Sequence, residues 1–168
     1  MERRMIIDGY NLIFQIPELR RWLERDMEAA RNALIRQLSA YALKNEMKIT
    51  LVFDGDEFQD MPQQAYPHLQ VIYSHFPEKA DPLIKQLISQ DRENDSLQIV
   101  SSDKEIREFA RLMSVPEMTS QSFALMIQAE NTVQYNNESF SPEMTREEAA
   151  RWMTLFSKDR GEDQEEDK

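Results

Sequence analysis

Four aspartates sit where segments of the chain change direction. Asp8 follows Met5-Ile6-Ile7, Asp54 follows Ile49-Thr50-Leu51-Val52-Phe53, Asp81 precedes Pro82 and an apolar run, and Asp103 follows Val100-Ser101-Ser102. Carboxylates brought to one place repel and raise one another's pKa, and a hard divalent cation relieves that repulsion. Mg²⁺ and Mn²⁺ prefer carboxylate and water oxygens and keep several waters when few protein ligands bind them. Such a site activates water and stabilises phosphoryl oxygens in an in-line displacement. Asn11 adds an amide able to hold a carboxylate or a metal-bound water. With no cysteine and with only His68 and His75 as imidazoles, thiolate and histidine-rich metal sites are excluded. Each aspartate alone has a structural reading. Asp-Gly at 8–9 and 54–55 is turn chemistry, Asp81-Pro82 an N-cap followed by proline, and Ser102 with Glu105 a capping box.

The elements around these acids decide whether they meet. Met5-Ile6-Ile7 is a continuous apolar run, as in a central parallel strand buried on both faces. Gly9 is expected to let the chain turn sharply after it. Residues 49–53, 70–74 and 97–101 read as further strands, with a weaker one at 116–119. Between them, 17–45 carries Leu19, Trp22 and Leu23 on one apolar face and Ala30, Leu34, Leu38 and Tyr41, with Ala42 beside them, at helical spacing, with a break at Asp26. The opposite face, with Arg20, Arg21, Arg25, Arg31 and Arg36, could approach phosphates, but mixed charge on a helix is more often a solvated face. Residues 61–67 read as a loop, and helices are expected at 83–88, from 104 to 113, at 122–129 and, after the Thr145–Glu148 capping box, to Phe156. Residues 131–140 read as irregular. Strands alternating with helices predict an α/β fold whose mainly parallel sheet has helices on both faces. All strand carboxyl ends then open on one edge, where Asp8, Asp54 and Asp103 converge and the helix start at Asp81 faces them.

The net charge is −11, of which the tail 158–168, with three basic and six acidic residues, carries −3 and the body −8. An acidic body argues against non-specific, tight binding to nucleic acid, which needs Lys and Arg, but not against a nucleic-acid enzyme with a cation-loaded acidic site. Lys79, Lys85, Lys104, Arg107 and Arg111 lie near the helix starts that face the expected site and form the best local basic patch for a phosphate backbone, although a solvated face is the ordinary reading. Tyr10 beside the acids suits stacking on a base or, equally, packing. No run approaches the length of a membrane span, and three apolar residues after Arg4 are too few for a signal segment, so the expectation is a cytoplasmic protein without disulfide-linked partners.

Asp8-Gly9-Tyr10-Asn11, flanked by Ile6-Ile7 and Leu12-Ile13, resembles the opening motif of NYN domains in the PIN-like, flap-nuclease-like superfamily. Leu51-Val52-Phe53-Asp54-Gly55 resembles its second-strand motif, Lys79-Ala80-Asp81 its acidic helix start, and Val100-Ser101-Ser102-Asp103-Lys104-Glu105-Ile106 its Ser-x-Asp motif. Ala29-Ala30-Arg31 with Leu34-Ile35 and Leu38 is similar to the long helix of the YacP-like NYN family. The similarity covers Met5 to Ala129. Pro82 stands where the family often has a second acid, with Glu78 the nearest substitute, and Gly55 where it often has alanine.

The resemblance implies a PIN-like three-layer fold with a five-stranded sheet of order 3-2-1-4-5, and a Mg²⁺- or Mn²⁺-dependent endoribonuclease acting on single-stranded RNA, with mRNA on or near ribosomes a further implication. It casts Asp8, Asp81 and Asp103 as catalytic metal ligands and Asp54 as a ligand directly or through water. Asn11, Ser101, Ser102 and Glu78 support them. The expected domains are a nuclease domain at 1–130, an extension with one amphipathic helix at 131–157, and a disordered acidic tail at 158–168. Two rivals stand beside this. One is an RNA- or ribosome-binding adaptor with a weakened site; the other is a phosphatase using Asp54-Gly55-Asp56, which leaves Asp8 and Asp103 without a role.

Overall fold

The computed structural model describes residues 2–55, 64–75, 77–93 and 95–138, the last eight as backbone only. The helix expected at 145–156, the tail and Asp56 lie outside the described residues. The chain divides into two compact units, Met1–Ala129 and Glu130–Lys168.

The first unit is built on a sheet. Strands β1 (Arg3–Asp8), β2 (Met47–Phe53), β3 (Gln64–Tyr66), β4 (Leu69–Tyr73), β5 (Leu97–Val100) and β6 (Glu117–Met118) take the order β3-β4-β2-β1-β5-β6. All neighbours are parallel except β3 and β4. Without β3 the order is the one expected from the resemblance. The addition is a short antiparallel edge strand inside the stretch read as a loop. Its turn is closed by His68 in a left-handed conformation (φ 64°). Prolines and polarity hid it, because an edge strand needs partners on one side only.

β1 is buried on both faces, and its alternation divides the core. Met5 and Ile7 join Leu51, Leu34 and Leu38 on one side; Ile6 joins Val52, Ile84, Ile88 and Ile106 on the other. The first side is covered by α1 (Gly9–Gln15), α2 (Pro17–Leu23) and α3 (Met27–Lys44), together with α6 (Ser120–Glu138). The second is covered by α4 (Ala80–Asp91) and α5 (Lys104–Leu112). Asp26 does break the helical stretch, as the N-cap of α3, accepting from Ala29 N at 2.9 Å. Three readings change. Trp22, expected on the apolar face with Leu19 and Leu23, is exposed. α6 continues as helix through 131–138, expected to be irregular, and Arg31 is buried (8% exposed) rather than solvated.

Gly9 is required for a different reason from the one its sequence context suggests. It is the first residue of α1, and none of the described glycines has positive φ. A Cβ at Gly9 would meet Phe53 Cδ1 at 2.5 Å and Cε1 closer still. The Phe53 ring is fully buried, edge-on to Tyr10 and stacked on Tyr73, so it cannot yield. Gly9→Ala is therefore expected to cost about 1–3 kcal/mol by overpacking. A urea titration reads this directly; an unchanged midpoint would show that α1 can shift freely over β2.

Candidate active site

Register brings the first acid to its partners. Asp8 pairs with Val52 on one side, and Ile7 with Val100 on the other, so Asp8 lies level with Ser101 and two residues short of Asp54 along β2. Asp8 ends β1 and caps α1. It accepts from Asn11 N at 3.3 Å and Asn11 Nδ2 at 3.2 Å, while the fully buried Ser101 donates its Oγ–H to Asp8 Oδ2 at 3.3 Å. Asp8 is 8% exposed. Burial, and then the charge of Asp81, push its carboxyl up to about 6, against the pull of the Asn11 and Ser101 hydrogen bonds.

Asn11 also accepts from Ser102 N through Oδ1 at 3.3 Å, so one amide fastens the β1–α1 corner to the β5–α5 corner. Ser101 Oγ accepts from Asp103 N at 3.0 Å. Asp103, not Ser102, caps α5. Its Oδ1 accepts from Glu105 N at 2.8 Å and Ile106 N at 3.1 Å. Ser102 instead accepts from Ser120 N at 3.2 Å, tying the corner to the start of α6. The capping-box pattern pointed to Ser102, but the charged Asp103 side chain, one residue later, binds the first-turn amides itself.

Asp81 is likewise displaced from the N-cap expected of it. Lys79 occupies that position and Asp81 lies in the first turn of α4. The cap comes from across the sheet: Asp54, exposed at the end of β2, accepts from Ala80 N at 2.7 Å. Ser74 steadies the same corner, donating to Glu78 O at 2.9 Å and accepting from Gly55 N at 3.0 Å. Sequence reasoning missed Ser74, whose one signal is its place directly after a strand. Burial raises the Asp81 carboxyl, and the charges of Asp103 and Asp54 raise it further; Lys85 pulls it down. All four aspartates thus share one electrostatic field at the carboxyl edge of the sheet. Among the described residues no three acidic or imidazole side chains stand close enough to enclose a metal ion.

The other named residues separate. The Glu78 side chain is exposed, and its corner is held through its backbone carbonyl. Tyr10 packs edge-on against Phe53 at 5.0 Å, accepts from Arg31 at 3.0 Å and donates to Met27 Sδ at 3.2 Å, so its ring is committed to packing. Arg107 grips Glu117 through two nitrogens, at 2.6 and 3.1 Å, and Arg111 binds the same carboxylate, bracing α5 on β6. That holds the Glu117 carboxyl below the usual range and removes Arg107 from the free cations. Lys104 pairs loosely with Glu108, and Lys79 is exposed. A cavity of about 530 Å³ opens at the other end of the strands, beside Arg4, Thr50, Gln70 and Asp91, and contains none of the four acids.

The comparisons fit this arrangement. The fold matches the crystal structure of Rae1 (YacP) from Bacillus subtilis with a TM-score of 0.66 at 20% identity, covering 94% of this chain and 92% of that one. A single-substitution variant of the same protein gives 0.68 at 19%, covering 85% and 86%. At the sequence level, the protein YacP of Bacillus subtilis (strain 168), described as uncharacterized, is 29% identical over 84 residues, 49% of each chain. The aligned stretch thus spans about half the length of that relative. The model of the YacP-like NYN domain matches residues 5–162, well past the Ala129 at which the motif resemblance stops. The chain belongs to the YacP-like NYN domain family, a nuclease-type group of hydrolases.

Proposed function

We propose that this protein is a Mg²⁺- or Mn²⁺-dependent endoribonuclease that hydrolyses phosphodiester bonds of single-stranded RNA. The observation that carries the reading is the mutual electrostatic strain of the acids: Asp8 is raised by burial and Asp81, and Asp81 by burial, Asp103 and Asp54. A hard cation suits that donor set of carboxylate oxygens. Asp8, Asp81 and Asp103 are the residues to hold it, with Asp54 reaching it directly or through water. When bound, it supplies an activated water and charge stabilisation for an in-line displacement.

The chain's own groups prepare that edge. Asn11 and Ser101 fix both oxygens of Asp8, and Asp103 spends only Oδ1 on its cap bonds. Asp54 holds α4 so that Asp81 faces the edge. Messenger RNA on or near ribosomes is the proposed substrate and the cytoplasm the proposed compartment. Among the described residues no helix is long and apolar enough to cross a membrane.

The test is cleavage of a labelled single-stranded oligoribonucleotide with Mn²⁺ or Mg²⁺. Internal cuts that chelator stops are the expected result. Uncut RNA that the protein nonetheless binds with and without metal would instead support the adaptor reading, which the lack of a close acidic triad among the described residues favours.

A further inference from the structure

Arg31 is a cation in an unusual place. It projects from α3 into the packing around Tyr10, Phe53 and Tyr73 and is 8% exposed. Its guanidinium lies 5.8 Å from the centre of the Tyr73 ring, and one nitrogen donates to the Tyr10 hydroxyl at 3.0 Å. Among the described residues it has no carboxylate partner, whereas Arg4, Lys48, Lys85, Lys104, Arg107 and Arg111 all have one. Glu28, one turn earlier on α3, is exposed and makes no ion pair with it. A buried charge without a counter-charge is costly, and a phenol and a ring face offset it only in part.

Two further facts give this charge a direction. Arg31 donates through one terminal nitrogen alone, to Tyr10, and its remaining nitrogens bond no protein group among the described residues. Their surroundings are the carboxyl edge of the sheet: Phe53 and Tyr73 are the last residues of β2 and β4, and Tyr10 lies in the first turn of α1, two residues after Asp8. This planar, permanently charged fork therefore lies at the end of the sheet that carries the four acids.

We propose that Arg31 is a phosphate-binding residue, taking a phosphodiester of the single-stranded RNA next to the one held at the acidic edge. It rests on the RNA reading above and adds the counter-charge that the acidic edge itself lacks. The fork of a guanidinium matches two phosphate oxygens, and Tyr10 and Tyr73 keep it aimed.

The experiment is fluorescence anisotropy of a labelled, uncleavable single-stranded oligonucleotide at a fixed Mg²⁺ concentration, over a series of monovalent salt concentrations. Arg31→Gln should weaken binding roughly tenfold or more and flatten the dependence of log affinity on log salt by about 0.7. Arg31→Lys should keep the salt slope with partial affinity. A merely structural Arg31 would leave the slope of a folded Arg31→Gln protein unchanged, and that result overturns the assignment. If Arg31→Gln does not fold, dicarbonyl modification of the wild type decides. Arg31 should be modified in the free protein and protected by the oligonucleotide; an inert or equally modified Arg31 overturns the proposal. A wild-type protein that binds no oligonucleotide overturns the RNA reading and the Arg31 assignment with it, whereas equal binding by wild type and Arg31→Gln overturns the Arg31 assignment alone.

Discussion

Asp8→Asn is expected to lower RNA cleavage by roughly 10³-fold or more while making the metal-free protein more stable at neutral pH. The two effects have one origin. Asp8 is buried, and its carboxyl titrates at about 6 rather than 3.8. The folded state therefore holds the proton more tightly than the unfolded chain. Stability is highest below the unfolded pKa and is lost as pH rises through the folded one, by about 3 kcal/mol in all from the size of the shift. Asparagine carries no charge and escapes that loss. It also turns an NH₂ toward the donors of Asn11 and Ser101, which returns part of the gain. The net expectation is about 1–2 kcal/mol of added stability at pH 7 and none at pH 4. Urea titrations at the two pH values test this. An Asp8→Asn protein destabilised equally at both would show that the carboxylate is there for packing.

Asp103→Asn separates two roles that one side chain plays. Asp103 caps α5 with Oδ1 and adds negative charge at the edge, where it raises Asp81. Asparagine caps helices about as well as aspartate, so stability should stay within about 0.5 kcal/mol. Cleavage should fall by at least roughly 10²-fold, because a ligand charge is gone. Relief of Asp81 should appear as a lower Asp81 pKa, readable by carboxyl NMR. A variant that is as stable and as active as the wild type would reduce Asp103 to a helix cap.

Much of the fold was legible because its signals are local. The apolar runs at 5–7, 49–53 and 97–100 admit little but buried parallel strands, and Asp26 between two helical stretches is a cap by its chemistry. That Asp8, Asp54 and the corner after β5 lie at one edge followed from topology alone, since parallel strands share a carboxyl edge; among the described residues, though, no three acids close on one point. What escaped was set by partners distant in sequence. Asp54 caps α4 from 26 residues away, so Asp81 could be taken for the cap it is not. Gly9 faces Phe53 across the sheet. Arg31 reads as one more arginine on a mixed-charge helix until Tyr10 and Tyr73 are seen around it. The hydrogen bonds from Asn11 to both Asp8 and the Ser102 corner join residues whose adjacency no spacing reveals.

The most direct test of the central claim is calorimetric titration of Mn²⁺ into the wild type, Asp8→Asn and Asp103→Asn at neutral pH. One site in the wild type, lost in both variants, is the predicted result, because the acids ending β1 and following β5 are taken to hold the same ion. Binding that survives in both folded variants would contradict a shared site at this edge. An inert wild type would move the reading to the adaptor, or to a site that only bound RNA completes, and repeating the titration with an uncleavable oligonucleotide present would tell these apart.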